Sequence, residues 1–180
     1  LLFELRRIEL DMAESHARVL HRALDSGNGV LDKVVDLSAM FKELDSQDTD
    51  IGVISLRRRS LLQLGGKEIY EIKLGEEYLM SSLFHDVEVK LSELSLASLA
   101  RPNAEIIVGG LGLGYTAVAA LKYPDVKSVA VFEFLQPVID WHKRELEPLG
   151  KTLNDEPRFS FIRGDFFKLA VSEDGFLAEK

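Results

Sequence analysis

Four glycines and two acids are the residues of this chain whose types and spacing could do chemistry. The stretch AEIIVGGLGLGYTAVAAL at 104–121 passes from apolar residues through a glycine-rich turn and back into small residues. Glu133 lies 19 residues after Gly114, at the end of the apolar run SVAVFEF, and Asp165 follows Gly164 after the run RFSFIR. If these runs are parallel strands, the turn and both acids lie at the carboxyl edge of one sheet, where ligands collect.

This arrangement predicts an adenosine site. Glycines let the backbone approach a ligand, and a helix that begins after the turn presents free N–H groups. Glu133 can accept hydrogen bonds from both ribose hydroxyls, and Asp165 can accept one from the adenine amino group. The predicted cofactor-binding residues are Gly110, Leu111, Gly112, Gly114, Tyr115, Glu133, Phe134, Gly164, Asp165 and Phe166.

A nicotinamide or flavin dinucleotide is the alternative ligand. GLGYTA at 112–117 satisfies G-x-G-x-x-A, and Glu133 lies near the expected separation of about 20 residues. The turn is longer than a dinucleotide turn, because Gly109 and Gly110 already follow the strand. The pattern therefore favours an adenosyl sulfonium ligand over a dinucleotide, while a purely structural role for the turn and the acids stays open.

The periodicity of the apolar residues predicts the elements that must position this site. From residue 104 onward, apolar runs alternate with helical segments, the second of them over 137–149, which predicts an α/β fold with a Rossmann-like, doubly wound parallel sheet covered on both faces. Upstream, strands are expected at 51–59, 67–74 and 77–84 in a hairpin or meander, followed by a helix that ends before 101–103.

The rest of the chain is predicted to precede this domain as an extension. Helical stripes cover residues 5–24 and 30–44, and the polar segment DSQDTD at 45–50 is the candidate linker. We expect a helical extension over 1–50, a β-hairpin or meander with a linking helix over 51–100, and a Rossmann-like nucleoside-binding domain over 101–180, truncated at its C-terminal end. The chain does not begin with Met, which indicates a fragment.

Composition excludes several classes of function. The formal net charge of -8 is unsuited to holding nucleic acid, which needs a basic surface. The absence of cysteine removes disulfides, thiolate zinc sites and cysteine nucleophiles, and no apolar run approaches the roughly 20 residues of a membrane span. We therefore expect a cytoplasmic protein without metal, membrane or nucleic-acid partners.

Residues 104–168 resemble the cofactor half of the class I S-adenosylmethionine-dependent methyltransferases and, more narrowly, the spermidine synthase family. LKYPDVKSV at 121–129, VFE at 131–133 and GD at 164–165 carry the resemblance, and the β-rich residues 51–84 stand where that family has a β element. The resemblance implies a methyltransferase-type sheet, S-adenosylmethionine or its decarboxylated form as cofactor, and a small-molecule acceptor substrate. It also implies that a homodimer could form through the N-terminal β element.

Two departures from the spermidine synthase pattern separate methyl from aminopropyl transfer. Leu113 stands where the family has an Asp that holds the amino group of the aminopropyl donor, and Leu135 stands where it has an acid two residues after the ribose-binding Glu. Leucine offers neither charge nor hydrogen bond, whereas methyl transfer needs mainly a nucleophile in line with the sulfonium methyl. The sequence therefore favours methyl transfer; aminopropyl transfer, a non-catalytic nucleoside-binding protein and an NAD-dependent oxidoreductase are the alternatives.

Several other residues have both a functional and a structural interpretation. His85 and Asp86 are candidate substrate residues, although an exposed helix start is the simpler account. The run 57–59 of three arginines is expected on a solvated strand edge, His142 on the surface, and Trp141 in helix packing. No catalytic residue and no metal ligand is assigned.

Overall fold

The computed structural model describes residues 41–99, 101–173 and 175–176. The helical stripe predicted at 5–24, and the part of the second stripe before residue 41, lie outside these residues. The described residues from Lys42 onward belong to one compact unit, in which an antiparallel sheet is followed by a parallel sheet with helices.

The first sheet has four strands in the order β1-β2-β3-β4. The strands are β1 Phe41–Thr49, β2 Gly52–Leu61, β3 Lys67–Leu74 and β4 Glu77–Ser81, with a 3-10 turn at Leu62–Leu64. Strands β2 and β3 pair antiparallel from Ile54 opposite Leu74 to Leu61 opposite Lys67. Strands β2, β3 and β4 match the predicted meander, and β1 is an additional strand.

Strand β1 corrects the prediction for residues 41–50. Its residues were expected to end a helix and to form a linker, because FKELDSQDT is polar and shows no period-two alternation of apolar residues. The strand exists because it pairs with β2, and because Asp45 accepts hydrogen bonds from Trp141 Nε1 at 2.9 Å and from Arg144 at 2.8 Å. Both contacts are far away in sequence, so no local pattern announces them.

The three arginines lie on an inner strand, which corrects the expected sheet edge. Strand β2 has neighbours on both sides. Each arginine is paired with a glutamate: Arg57 with Glu43, Arg58 with Glu68 and Arg59 with Glu71. These pairs neutralise the positive run within the sheet, and this argues against a site for an acidic partner.

The second half of the described chain alternates helices and parallel strands. The elements are α1 Asp86–Leu99, β5 Ala104–Gly109, α2 Tyr115–Leu121, β6 Val126–Glu133, α3 Gln136–Lys143, α4 Gly150–Asn154, β7 Phe159–Arg163 and α5 Phe166–Ala170. The strands form a sheet in the order β5-β6-β7, and both neighbouring pairs are parallel. The helix predicted over 137–149 ends at Lys143, and Glu145 then adopts a positive φ of 55° before the shorter α4 begins.

The two faces of the parallel sheet are covered to different extents. Val129 and Val131 on one face are fully buried in the core, which also holds Leu113 and Trp141. On the opposite face, Ile107 of β5 is 43% exposed. Within the described residues, the structure shows a parallel sheet with one well-covered face. The finer prediction, a doubly wound sheet covered on both faces, is not shown by these residues.

Candidate functional site

The glycine-rich turn connects β5 to α2 at the carboxyl edge of the parallel sheet. Gly110, Gly112 and Gly114 all have positive φ values, which side-chain-bearing residues rarely adopt. A Cβ at Gly112 would lie 2.6 Å from Met80 Sδ, and one at Gly114 would lie 2.8 Å from Leu153 Cδ1. The positive φ values thus favour glycine at all three positions, and a Cβ at Gly112 or Gly114 would also displace a neighbouring side chain, while one at Gly110 would meet nothing within 4 Å.

Glu133 ties the end of β6 to this turn. Its side chain is buried, with Oε2 accepting a hydrogen bond from Leu111 N and Oε1 accepting one from Leu135 N, both at 2.8 Å. A carboxylate has about four lone-pair sites, so each oxygen can accept one more hydrogen bond. The structure therefore brings Glu133 and Leu111 together, and it leaves acceptor capacity of the kind that ribose hydroxyls require.

Asp165 stands at the end of β7 as the N-cap of α5. Its Oδ1 accepts a hydrogen bond from Lys168 N at 3.0 Å, and the residue is exposed. Gly164 N donates to the carbonyl oxygen of Glu133 at 3.0 Å, which places the ends of β6 and β7 side by side. The cap explains Asp165 without a ligand, and its second oxygen does not take part in it.

Phe166 and Phe134 flank these strand ends in different ways. The ring of Phe166 packs over Gly109, where a Cβ would lie 2.5 Å from the ring. Phe134 is half exposed and lines a cavity of about 270 Å³. The cavity lies between the β1–β2 turn and the segment after Glu133, lined by Gln47, Asp48, Thr49, Asp50, Phe134, Leu135, Gln136, Pro137 and Arg163.

His85 and Tyr115 are brought into contact, which joins one candidate substrate residue to the glycine turn. Their rings stack with centroids 3.9 Å apart, and His85 Nδ1 lies 3.0 Å from the carbonyl oxygen of Ser82. Burial raises the pKa of the Tyr115 phenol, the charge of Glu147 raises it further, and a hydrogen bond with Ser82 opposes both. Tyr115 therefore stays protonated at neutral pH. The other candidate substrate residue, Asp86, is the exposed first residue of α1.

His142 is fully buried, which shows that the prediction of a surface histidine was wrong. Its Nε2 lies 2.9 Å from the carbonyl oxygen of Gly112, and its Nδ1 lies 2.8 Å from Glu147 Oε1. The signal was present in the sequence, because His142 follows Val138 by four residues and lies on the same helix face. Trp141 is buried in helix packing, as expected.

Leu113 points into the core. Its side chain is fully buried among other apolar residues, and its N–H donates to Met80 Sδ at 3.1 Å. Met80 and His142 contact the turn, and Glu147 contacts His142; sequence reasoning missed all three contacts. For Met80 no local pattern could have found the contact, because it comes from a different sheet.

Comparisons with solved structures identify the fold class as spermidine synthase-like. A spermidine synthase in complex with the transition state analogue AdoDATO matches with a TM-score of 0.57 at 17% identity, over 71% of this chain and 42% of that chain. The spermidine synthase from Thermotoga maritima matches with a TM-score of 0.54 at 19% identity, over 71% of this chain and 41% of that chain. These likenesses establish the fold.

Among curated proteins, this chain is distantly similar to putrescine N-methyltransferases. It is 32% identical over 83 residues to putrescine N-methyltransferase 2 of Nicotiana attenuata, and 32% identical over 72 residues to putrescine N-methyltransferase 4 of Nicotiana tabacum. The matches cover 44% and 40% of this chain, but only 22% and 18% of the relatives, so the chain spans about a fifth of their length. No family model matches the chain.

Two further features of the described residues bear on other classes of site. No helix in residues 41–99 and 101–173 is long and apolar enough to cross a membrane. In the same part of the chain, no group of three or more His, Cys, Asp or Glu side chains is arranged to hold a metal ion.

Proposed function

We propose that this protein binds S-adenosylmethionine at the carboxyl edge of the parallel sheet and transfers its methyl group to a small amine. The observation that carries the proposal is the buried Glu133 carboxylate, which fixes the turn through Leu111 N and keeps acceptor capacity for a ribose. The similarity to putrescine N-methyltransferases supports methyl transfer to an amine of the polyamine type.

The proposed reaction needs little from the protein beyond position and a proton acceptor. The amine lone pair attacks the sulfonium methyl carbon, the carbon–sulfur bond breaks, and its electron pair stays on sulfur as a thioether. An ammonium acceptor must first lose a proton. His85 could take it, because Nδ1 faces the Ser82 carbonyl and must carry the hydrogen, which leaves Nε2 as an acceptor.

Aminopropyl transfer from decarboxylated S-adenosylmethionine is the second candidate, and the spermidine synthase-like fold favours it. The buried Leu113 speaks against it, since that residue supplies no carboxylate for the amino group of the donor. A nucleoside-binding protein without chemistry, and an NAD-dependent oxidoreductase, are the remaining alternatives.

The test combines binding and turnover. The protein is titrated with S-adenosylhomocysteine and with NAD in a calorimeter, and it is then incubated with methyl-labelled S-adenosylmethionine and putrescine. We expect binding of the adenosyl ligand, no tight binding of NAD, and label in a methylated amine. Spermidine formed from decarboxylated donor would support the second candidate, and tight NAD binding would overturn the cofactor assignment.

A further inference from the structure

A buried pair of side chains lies against the glycine turn and has no part in the transfer proposed above. His142 on α3 and Glu147 in the turn after it are both buried, with Nδ1 of the histidine 2.8 Å from Oε1 of the glutamate. In the described residues these two atoms have no polar partner apart from each other. We propose that the pair positions the glycine turn for the adenosyl ligand, an inference that rests on the proposed function.

Counting hydrogens shows why the pair can hold the turn. The Gly112 carbonyl can only accept, so His142 Nε2 at 2.9 Å must carry a hydrogen. A neutral imidazole has only one N–H, yet Nδ1 faces a carboxyl oxygen. With the hydrogen on Nε2, Nδ1 and Oε1 meet at 2.8 Å without a hydrogen bond of standard geometry between them. The carboxyl group of Glu147 packs against the ring on its Nδ1 side, and this contact holds Nε2 towards the Gly112 carbonyl.

The surroundings fix both members of the pair. Glu147 Oε2 accepts a hydrogen bond from Leu149 N at 2.7 Å, and Asn154 Nδ2 donates to the carbonyl oxygen of His142 at 3.0 Å. The charge of Glu147 also raises the pKa of the nearby Tyr115 phenol. The pair is thus anchored on α3 and α4, and it reaches the turn at Gly112.

The turn is held from two sides, and the pair supplies one of them. A Cβ at Gly114 would lie 3.1 Å from His142 Cε1, while Met80 Sδ approaches Gly112 from the antiparallel sheet. Between these contacts, Leu111 N points at Glu133. Loss of the Nε2 bond should let the Gly112 peptide rotate, which would disturb the neighbouring Leu111 and Leu113 amides and their bonds to Glu133 and Met80 without emptying the core.

Two substitutions of similar size separate this positioning role from a structural one. His142→Gln places an amide N–H close to the Nε2 position, whereas His142→Asn places one close to the Nδ1 position. The first can still donate to Gly112, and the second can reach only Glu147. Val138→Ala on the same helix is the matched control, because it removes buried apolar atoms and no hydrogen bond to the turn.

Two measurements are made on the full chain. Amide hydrogen exchange is followed over residues 109–116 without ligand, and S-adenosylhomocysteine affinity is measured by calorimetry. We expect the Asn variant to exchange faster in this segment and to bind about tenfold more weakly, as for one lost hydrogen bond of about 1.4 kcal/mol. The Gln variant and Val138→Ala should keep wild-type exchange and affinity at a lowered melting temperature.

The outcomes distinguish this inference from the proposed function. Equal exchange and affinity in the Asn and Gln variants would overturn the positioning role, even if both variants melt early. If the wild type fails to bind S-adenosylhomocysteine while exchange still separates Asn from Gln, the pair positions the turn and the proposed function is wrong.

Discussion

At the residue scale, Glu133 is the group whose loss should matter most for the adenosyl ligand. In Glu133→Gln, one of the two backbone N–H groups now bonded to the carboxylate, Leu111 N or Leu135 N, would face an amide NH₂. We expect ligand affinity to fall by about one to two decades, since a hydrogen bond to a charged group is worth about 1.5–3 kcal/mol. Calorimetric titration with S-adenosylhomocysteine measures the change, and undiminished affinity would remove Glu133 from the site.

Asp165 offers a cleaner separation of structural and binding roles. Asparagine caps a helix about as well as aspartate, so Asp165→Asn should leave the cap to Lys168 N and the unfolding free energy nearly unchanged. Its amide can donate where the carboxylate only accepts. Binding of S-adenosylhomocysteine should therefore weaken more than binding of its inosine analogue.

The control for this comparison is Asp165→Ala, which removes the cap and should cost about 0.5–2 kcal/mol of stability. If Asp165→Asn weakens both ligands equally, Asp165 does not contact the adenine amino group, and the cap is its whole role.

At the scale of the elements, the sequence predicted the strands that have a recognisable apolar pattern. It missed strand β1, which depends on contacts with residues far away in sequence. The runs that became β5, β6 and β7 are apolar and continuous, as expected for buried parallel strands. Strand β1 is polar, and its contacts with Trp141 and Arg144 lie 96 and 99 residues away. The same limit applies to the turn: its glycines were visible, but the contacts of Met80 with Leu113 and of His142 with Gly112, which span 33 and 30 residues, were not.

The attachment of β1 to α3 gives a stability prediction. Burial by itself would raise the pKa of Asp45, but hydrogen bonds from Trp141, Gln47, Arg144 and the Ser46 N–H outweigh it and lower the pKa below its ordinary value. Because the folded pKa is lowered, the stabilisation is present above the ordinary pKa near 3.8 and is lost as pH falls through the folded value.

We expect Asp45→Ala to lower the free energy of unfolding at pH 7 by about 1–3 kcal/mol, because the buried Trp141 indole N–H loses its acceptor. The difference from wild type should begin to shrink below the ordinary pKa near 3.8, and its ionic part should be lost once the pH falls below the folded pKa, where the wild-type carboxyl is itself protonated. Urea unfolding at several pH values measures both effects. Asp48→Ala, an exposed acid on the same strand, is the control, and an equal loss of stability in that variant would contradict the assigned contacts.

At the scale of the whole molecule, the two sheets meet at the turn and its helix. Ser92 on α1 donates from Oγ to the Thr116 carbonyl at 2.7 Å, and Met80 on β4 accepts from Leu113 N at 3.1 Å. These contacts fix Leu113 in the core, fully buried. Position 113 therefore offers no carboxylate that could select decarboxylated over intact S-adenosylmethionine. Both the packing of the molecule and the residue type rule it out.

The resulting prediction is that this protein discriminates poorly in favour of decarboxylated S-adenosylmethionine. A carboxylate in the turn would pair with the donor amine and repel the carboxylate of the intact cofactor, effects worth about 1.5–3 kcal/mol, and leucine supplies neither. The relative affinity for the two donors should therefore lie within about tenfold, measured by competition binding beside putrescine turnover with each donor. Leu113→Asp should bury an unpaired charge and unfold the protein without creating a preference. Rapid spermidine formation with a clear preference for the decarboxylated donor would contradict this prediction. It would show that an acid elsewhere in the protein binds the donor amine, and that the protein catalyses aminopropyl transfer.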